Sequence, residues 1–185
     1  IITESTGKFG QHYPKIAAII TASAHGKDNL MTAAWHSAIS YNPPLYGVAI
    51  SPKRFIYQLI MESNEFGVNF ISLDKSLLAA QVGGISGRET NKFQKFNIKT
   101  EEPIKTGVPI LKEAYATYEC KLVDNTTYGD HAWIVGEILA VHFLEECFTN
   151  QQVLDPSKIN PLLCLGVEHY ITLDNSSLHS IRRGG

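Results

Sequence analysis

The 185-residue sequence has only three cysteines, Cys120, Cys147 and Cys164. None of them pair at metal-ligand spacing, and an odd count argues against a disulfide framework. A reducing, cytoplasmic setting is the expectation. Long apolar runs are missing too. The longest strong one, residues 16–24, is about half of the roughly 18 residues that a membrane span needs. No secretory signal stands out, although the numbering does not begin at methionine. Charge of one sign is not in excess: 16 basic against 18 acidic residues leave a net charge of -2. That balance gives no electrostatic case for nucleic acid or an anionic membrane as main partner, but it permits a local basic pocket.

Several motifs are also missing. There is no Walker phosphate loop and no GxGxxG after a strand. A GxSxG nucleophile elbow fails because Arg88 stands at its last glycine. The seven histidines form no HExxH or similar pair, so neither a metal site nor a serine hydrolase is expected.

What is present is a chain of ordinary apolar content, 44%, with no internal repeat, low-complexity block or linker. It reads as one domain spanning residues 1–185. The closing Arg182-Arg183-Gly184-Gly185 reads as a frayed end.

Strand patterns dominate. Residues 16–22 are short, apolar and rich in isoleucine. Residues 25–29 read as a turn, and 30–34 as the returning strand of a hairpin. Asn42-Pro43-Pro44 breaks the chain before a strand at 46–50. Ser51-Pro52 looks like a helix start, with Phe55, Leu59 and Glu62 at helical spacing beside Ile56 and Ile60. Residues 66–73 alternate as a strand. Asp74 is placed to cap a helix through Val82, and residues 83–87 read as a flexible loop. Thr90 is placed to cap a short helix carrying Lys92, Phe93 and Phe96. Residues 114–123 and 133–145 alternate as strands about a turn-like 124–130, and two short strands follow at 162–166 and 169–173. Many strands with few helices predict a mainly β, closed or half-open barrel with peripheral helices. Several consecutive strands lack crossover helices, so a doubly wound sheet fits less well.

Four segments, in order, resemble the flavin reductase-like, FMN-binding split-barrel family, in its flavoredoxin and ferric reductase-like branch. The first is His12-Tyr13-Pro14, the strand at 16–22, residues 29–35 (Asn-Leu-Met-Thr-Ala-Ala-Trp), and residues 40–44. The second is residues 51–57 (Ser-Pro-Lys-Arg-Phe-Ile-Tyr) followed by residues 65–69. The third is Ser86-Gly87-Arg88 with Asn91-Lys92-Phe93. The fourth is Gly129-Asp130-His131 leading into Gly136-Glu137. Together they run from about residue 12 to 170.

The resemblance implies a Greek-key split β-barrel, FMN as cofactor and NAD(P)H as co-substrate. It also implies a homodimer with the flavin near the subunit interface, and electrons passed to free flavin, a ferric complex or a protein acceptor. It assigns Asn29, Met31, Thr32, Ala33, Ala34 and Trp35 to the flavin ring, where small Ala33 and Ala34 allow close backbone approach. It assigns Ser51, Arg54, Tyr57, Ser86, Lys92 and Phe93 to the remaining cofactor contacts. A helix N-terminus with an arginine fork suits a phosphate chemically. Locally, the same residues also fit a capped surface helix, and the alanines also fit a packed barrel strand. Phe93 reads better as packing than as stacking. His131 is the catalytic candidate, facing the flavin ring or the nicotinamide, to donate to a flavin oxygen or to orient the hydride donor. The other histidines receive no role, and the cysteines read as small buried hydrophobes. An FMN electron carrier not reduced by NAD(P)H, and a barrel without flavin, remain alternatives.

Overall fold

The computed structural model describes residues 2, 4, 6, 7 and 9–181; Arg182–Gly185, where a frayed end was expected, lie outside them. The chain runs through β1 (Lys15–Ile16), β2 (Ala18–Ala24), β3 (Lys27–Ala33), β4 (His36–Tyr41), β5 (Pro44–Ile50), α1 (Phe55–Ser63), β6 (Glu65–Phe70), α2 (Ser76–Gly84), α3 (Lys92–Lys95), β7 (Thr100–Glu101), β8 (Ile110–Leu111), β9 (Ala116–Tyr128), β10 (His131–Phe143), β11 (Leu163–Gly166) and β12 (His169–Ile171).

Seven strands form one antiparallel sheet in the order β3-β2-β6-β9-β10-β5-β4. Its two edge strands, β3 and β4, are consecutive in the chain and joined only by Ala34-Trp35. The sheet must therefore roll until its edges meet. The Trp35 carbonyl accepts from the Ala49 amide at 2.9 Å, which carries the β4–β5 ladder into this short connection. This closure defines a split β-barrel of Greek-key type, as the sequence predicts, with a small second sheet, β1-β11-β12, beside it.

Two apolar clusters hold the layers. The first, inside the barrel, joins Ile20, Val48, Ile50, Phe66, Val68 and Ile134 to the buried face of α1: Ile56, Leu59 and Ile60. The second lies between the outer face of β2–β3 and the α2–α3 segment, and includes Ile19, Leu30, Ala79, Val82 and Leu162. Alternation along β2 and β3 sends Ile20 and Met31 to one cluster and Ile19 and Leu30 to the other. One polar group is set into this core. Asn69 Nδ2 donates to the Ile19 carbonyl and to Thr21 Oγ1, and its Oδ1 accepts from the Leu111 amide and Thr117 Oγ1. A fully satisfied buried amide of this kind fixes strand register. Where β10 crosses β9 at Gly136, an added Cβ would stand 2.6 Å from the Phe66 ring and 2.8 Å from Cys120 Cβ. Only glycine fits there.

Several boundaries differ from expectation. The first hairpin turns on His25 and Gly26 alone, both at positive φ, 50° and 72°, as a tight primed turn requires. Lys27–Asn29 therefore already pair with β2. Likewise β9 and β10 extend to the Tyr128–His131 pair. Asp124–Tyr128 are strand rather than turn, because cross-strand pairing outweighs local turn preference. Helix α1 starts at Phe55, not at Ser51. Residues 51–54 form a turn in which the Arg54 amide donates to the Ser51 carbonyl at 2.9 Å. Asp74 caps nothing, since it lies inside a 3₁₀ turn and accepts from Ser72 Oγ. The cap of α3 is Asn91, whose side chain accepts from the Gln94 amide, rather than Thr90. Gly83 and Gly84 belong to the last turn of α2.

Candidate functional site

The clearest site is a cleft of about 340 Å³ between the start of α1, the inner end of β3, the end of α2 and the loop that follows it. Six of the residues assigned from sequence line it: Asn29, Met31, Thr32, Arg54, Ser86 and Lys92. Lys53, Phe55, Ile56 and Gly87 also line it; none of the four is assigned individually from sequence, although all lie in the segments that carry the family resemblance. Helical spacing marks Phe55 and Ile56 as helix residues without giving either a role of its own in a site.

The cleft is built for an anion. Helix α1 opens into it with no side-chain cap; the Tyr57 amide donates to the Arg54 carbonyl at 3.1 Å, which leaves the Phe55 and Ile56 N–H groups and the positive end of the helix dipole for a ligand. Arg54 sits at that terminus. Lys92 is 3% exposed, and its Nζ donates to the Leu30 and Val82 carbonyls, 2.7 Å each. Burial, reinforced by the Arg54 charge, pushes the Lys92 ammonium down to about 8. Two carbonyls take two of its three N–H groups, leaving one for a ligand.

Asn29 is 3% exposed, and its Oδ1 has no donor partner. It stands against Gly87, where any Cβ would overlap it. A buried acceptor without a donor is costly, and it suits a ligand that brings hydroxyls or N–H groups. Thr32 spends its hydroxyl on the Ala79 carbonyl at 2.6 Å, so it supplies a wall rather than a free donor.

His131, Trp35 and Ser51 form a neighbouring group at the barrel end. The β5–β10 ladder ends at Ala132–Ile50, so Ser51 and His131 stand just past the last pair. Trp35 packs on His131 with ring centroids 5.0 Å apart, and its Nε1 donates to Tyr13 Oη at 3.2 Å. His131 Nδ1 lies 2.8 Å from Asp130 Oδ1. An ionised carboxylate only accepts, so Nδ1 carries the proton and Nε2 remains for a ligand. That hydrogen bond holds the Asp130 carboxyl below its ordinary range, and the His131 charge adds to it.

The remaining assignments fall elsewhere. Ala33 is buried in the barrel cluster. Ala34 lines a separate cleft with His36 and Tyr46. Tyr57 turns its hydroxyl to Asn125 Nδ2 at 2.8 Å and packs on the barrel core. Phe93 packs in the outer cluster. The structure thus gathers Asn29, Met31, Thr32, Arg54, Ser86 and Lys92 into one cleft, sets Trp35, Ser51 and His131 at the barrel end, and gives Tyr57 and Phe93 packing surroundings.

A split barrel with an anion-holding cleft beside an aromatic shelf is the class that this fold and site define. The chain belongs to the flavin reductase-like family: the family model described as "Flavin reductase like domain" matches residues 10–163. An uncharacterized protein of Pyrococcus abyssi is 36% identical over 137 residues, 74% of this chain and 78% of that protein. The ferric-chelate reductase (NAD(P)H) of Archaeoglobus fulgidus is 26% identical over 129 residues, 69% and 75% of the two chains. Among solved structures, the FMN-binding protein from Thermus thermophilus with bound 1-cyclohex-2-enone is 31% identical, with TM-score 0.87 over 97% of this chain and 98% of that one. Flavoredoxin from Methanosarcina acetivorans is 27% identical, with TM-score 0.84 over 98% and 96%. The residues of the cleft fit a flavin mononucleotide: two cations and an open helix terminus for its phosphate, and an unpartnered buried acceptor for its hydroxyls.

Among the described residues, no helix is long and apolar enough to cross a membrane.

Proposed function

We propose that this protein binds FMN in the cleft between α1, β3 and α2 and works as an NAD(P)H:flavin oxidoreductase. The observation that carries this reading is the convergence of Arg54, Lys92 and the uncapped start of α1 on one cleft, with the Trp35–His131 shelf beside it. Bound FMN supplies the hydride acceptance and electron transfer; the chain supplies position and electrostatics. Arg54, Lys92 and the first amides of α1 hold the phosphate. Asn29 Oδ1 accepts from the polyol. Trp35 and His131 border the ring, and His131 Nε2 faces the reacting edge with its ring oriented by Asp130. The electron acceptor is free flavin, a ferric complex or a protein.

The working unit is a homodimer in the cytoplasm, formed by one domain per chain. Apolar residues on adjoining parts of the sheet support it: Ile39 and Tyr41 on β4, and Val141 and Phe143 on β10, are all exposed, and such patches mark association surfaces.

A second reading is an FMN electron carrier that NAD(P)H does not reduce, favoured by the likeness to flavoredoxin. An anaerobic visible spectrum with FMN, taken before and after NADH or NADPH, separates the two. Bleaching of the bound-flavin bands establishes the reductase and names its donor. A protein that stays yellow is the carrier, and one that binds no flavin refutes both.

A further inference from the structure

The cleft has two walls that come from different elements: the start of α1, Lys53–Ile56, and the loop Ile85–Gly87 that follows α2. One arginine ties them together. Arg88 leaves the loop, and its amide donates to Ser86 Oγ at 3.3 Å. Its guanidinium lies over the Phe55 ring, 5.3 Å from the centroid. Its Nη1 donates to Gln58 Oε1 at 3.2 Å. The Gln58 amide is held for this contact, because its Nε2 donates to Glu62 Oε1 at 2.8 Å one turn further along α1. The reverse amide orientation would set N–H groups against the guanidinium.

We propose that Arg88 is a positioning residue for the flavin: it straps the loop Ile85–Gly87 to α1 and so sets how long the flavin stays bound. The proposal rests on the reading of the cleft as the flavin site. Opening the cleft means drawing the loop from α1, which breaks both the guanidinium–ring contact and the Gln58 hydrogen bond. Removing the strap raises the population of the open state and speeds release. Contacts to the phosphate or the ring are unchanged, so the effect is the same whether or not the ligand carries a phosphate. The strap is on the surface, where single contacts are weak, so the expected factor is about three- to tenfold in off-rate.

The test measures release of FMN and of riboflavin from the flavin-loaded protein, by fluorescence recovery after dilution. The variants are Arg88→Ala, Gln58→Leu and the two combined. Both single variants should speed release of both flavins by similar factors. The double variant should add little, as expected for two residues of one contact. If Arg88→Ala speeds FMN release alone, while riboflavin and Gln58→Leu match the parent, Arg88 is a direct phosphate contact and the strap is refuted. Unchanged rates in all variants refute it equally. Failure of the parent protein to bind either flavin overturns the flavin site itself, which is a separate result.

Discussion

Lys92 shows how position changes what a residue can do. As a surface lysine it would be a constant positive charge. Held at about 8 by burial and by Arg54, it titrates within an accessible range. A phosphate dianion favours its protonated form, so FMN binding should take up protons near pH 8–9. Affinity should fall as pH rises through that range, and titration at several pH values checks it. In the absence of ligand the sign for stability is opposite. Below pH 8 the lysine is charged in both the folded and unfolded chain. Between 8 and its ordinary 10.5 only the unfolded chain keeps the proton, so this group makes folding stability rise with pH across that window. Arg54 gives a simpler expectation. Arg54→Ala should weaken FMN binding by about 1.5 kcal/mol, the low end for a charge-assisted hydrogen bond because the guanidinium is exposed; fluorescence quenching of FMN measures it. His131→Ala should slow flavin reduction more than it weakens FMN binding, as stopped-flow absorbance would show. The opposite pattern makes His131 a ligand contact.

At the level of elements, the crossing of β9 and β10 holds an unusual anchor. Glu119 is 0% exposed, and burial alone would raise its carboxyl. Instead it is held at about 2, because His142 Nε2, the amides of Ile104, Lys105 and Thr106, and Thr106 Oγ1 all donate to it. The carboxylate thereby ties the loop before β8 to the barrel. Its folded value lies below the unfolded one, so its stabilisation is complete above about 4.5 and is lost as pH falls towards 2. Thermal melts between pH 7 and 3 should show this loss. Glu119→Gln should cost about 2–4 kcal/mol and flatten the acid limb, because the amide cannot accept from all these donors. The boundaries of β9 and β10 carry a related lesson. Asp124-Asn125 has a clear local turn preference, yet it is overruled by pairing with Val135 and Ile134 across the hairpin; the starts of α1 and α3 are instead set locally, by the turn at residues 51–54 and by the Asn91 cap.

For the whole molecule, the closed sheet and the exposed apolar residues of β4 and β10 lead to one expectation. Sedimentation equilibrium at micromolar concentration should give twice the chain mass, and a monomer there would refute the dimer. The mainly β barrel with peripheral helices was legible in the alternating strands, in the scarcity of crossover helices and in the ordered motif segments. Those features are local: alternation reports a face, and Asn, Gly and Pro report breaks. Half of the assigned flavin residues were gathered into one cleft because strand β3 and the α1 start lie at the same end of the barrel. Tyr57 and Phe93 went to packing because their direction depends on the helix phase set by tertiary contacts. The sequence by itself determined the strand-rich architecture, the family motifs and the presence of Arg54, Lys92 and His131. Only the tertiary structure decided that Lys92 is buried on two carbonyls, that Asn29 lacks a donor, that Asp130 orients His131 and that Arg88 spans the cleft. Each of those is a meeting of residues distant in the chain or turned by packing, and burial, charge and hydrogen-bond geometry exist only once the barrel has closed.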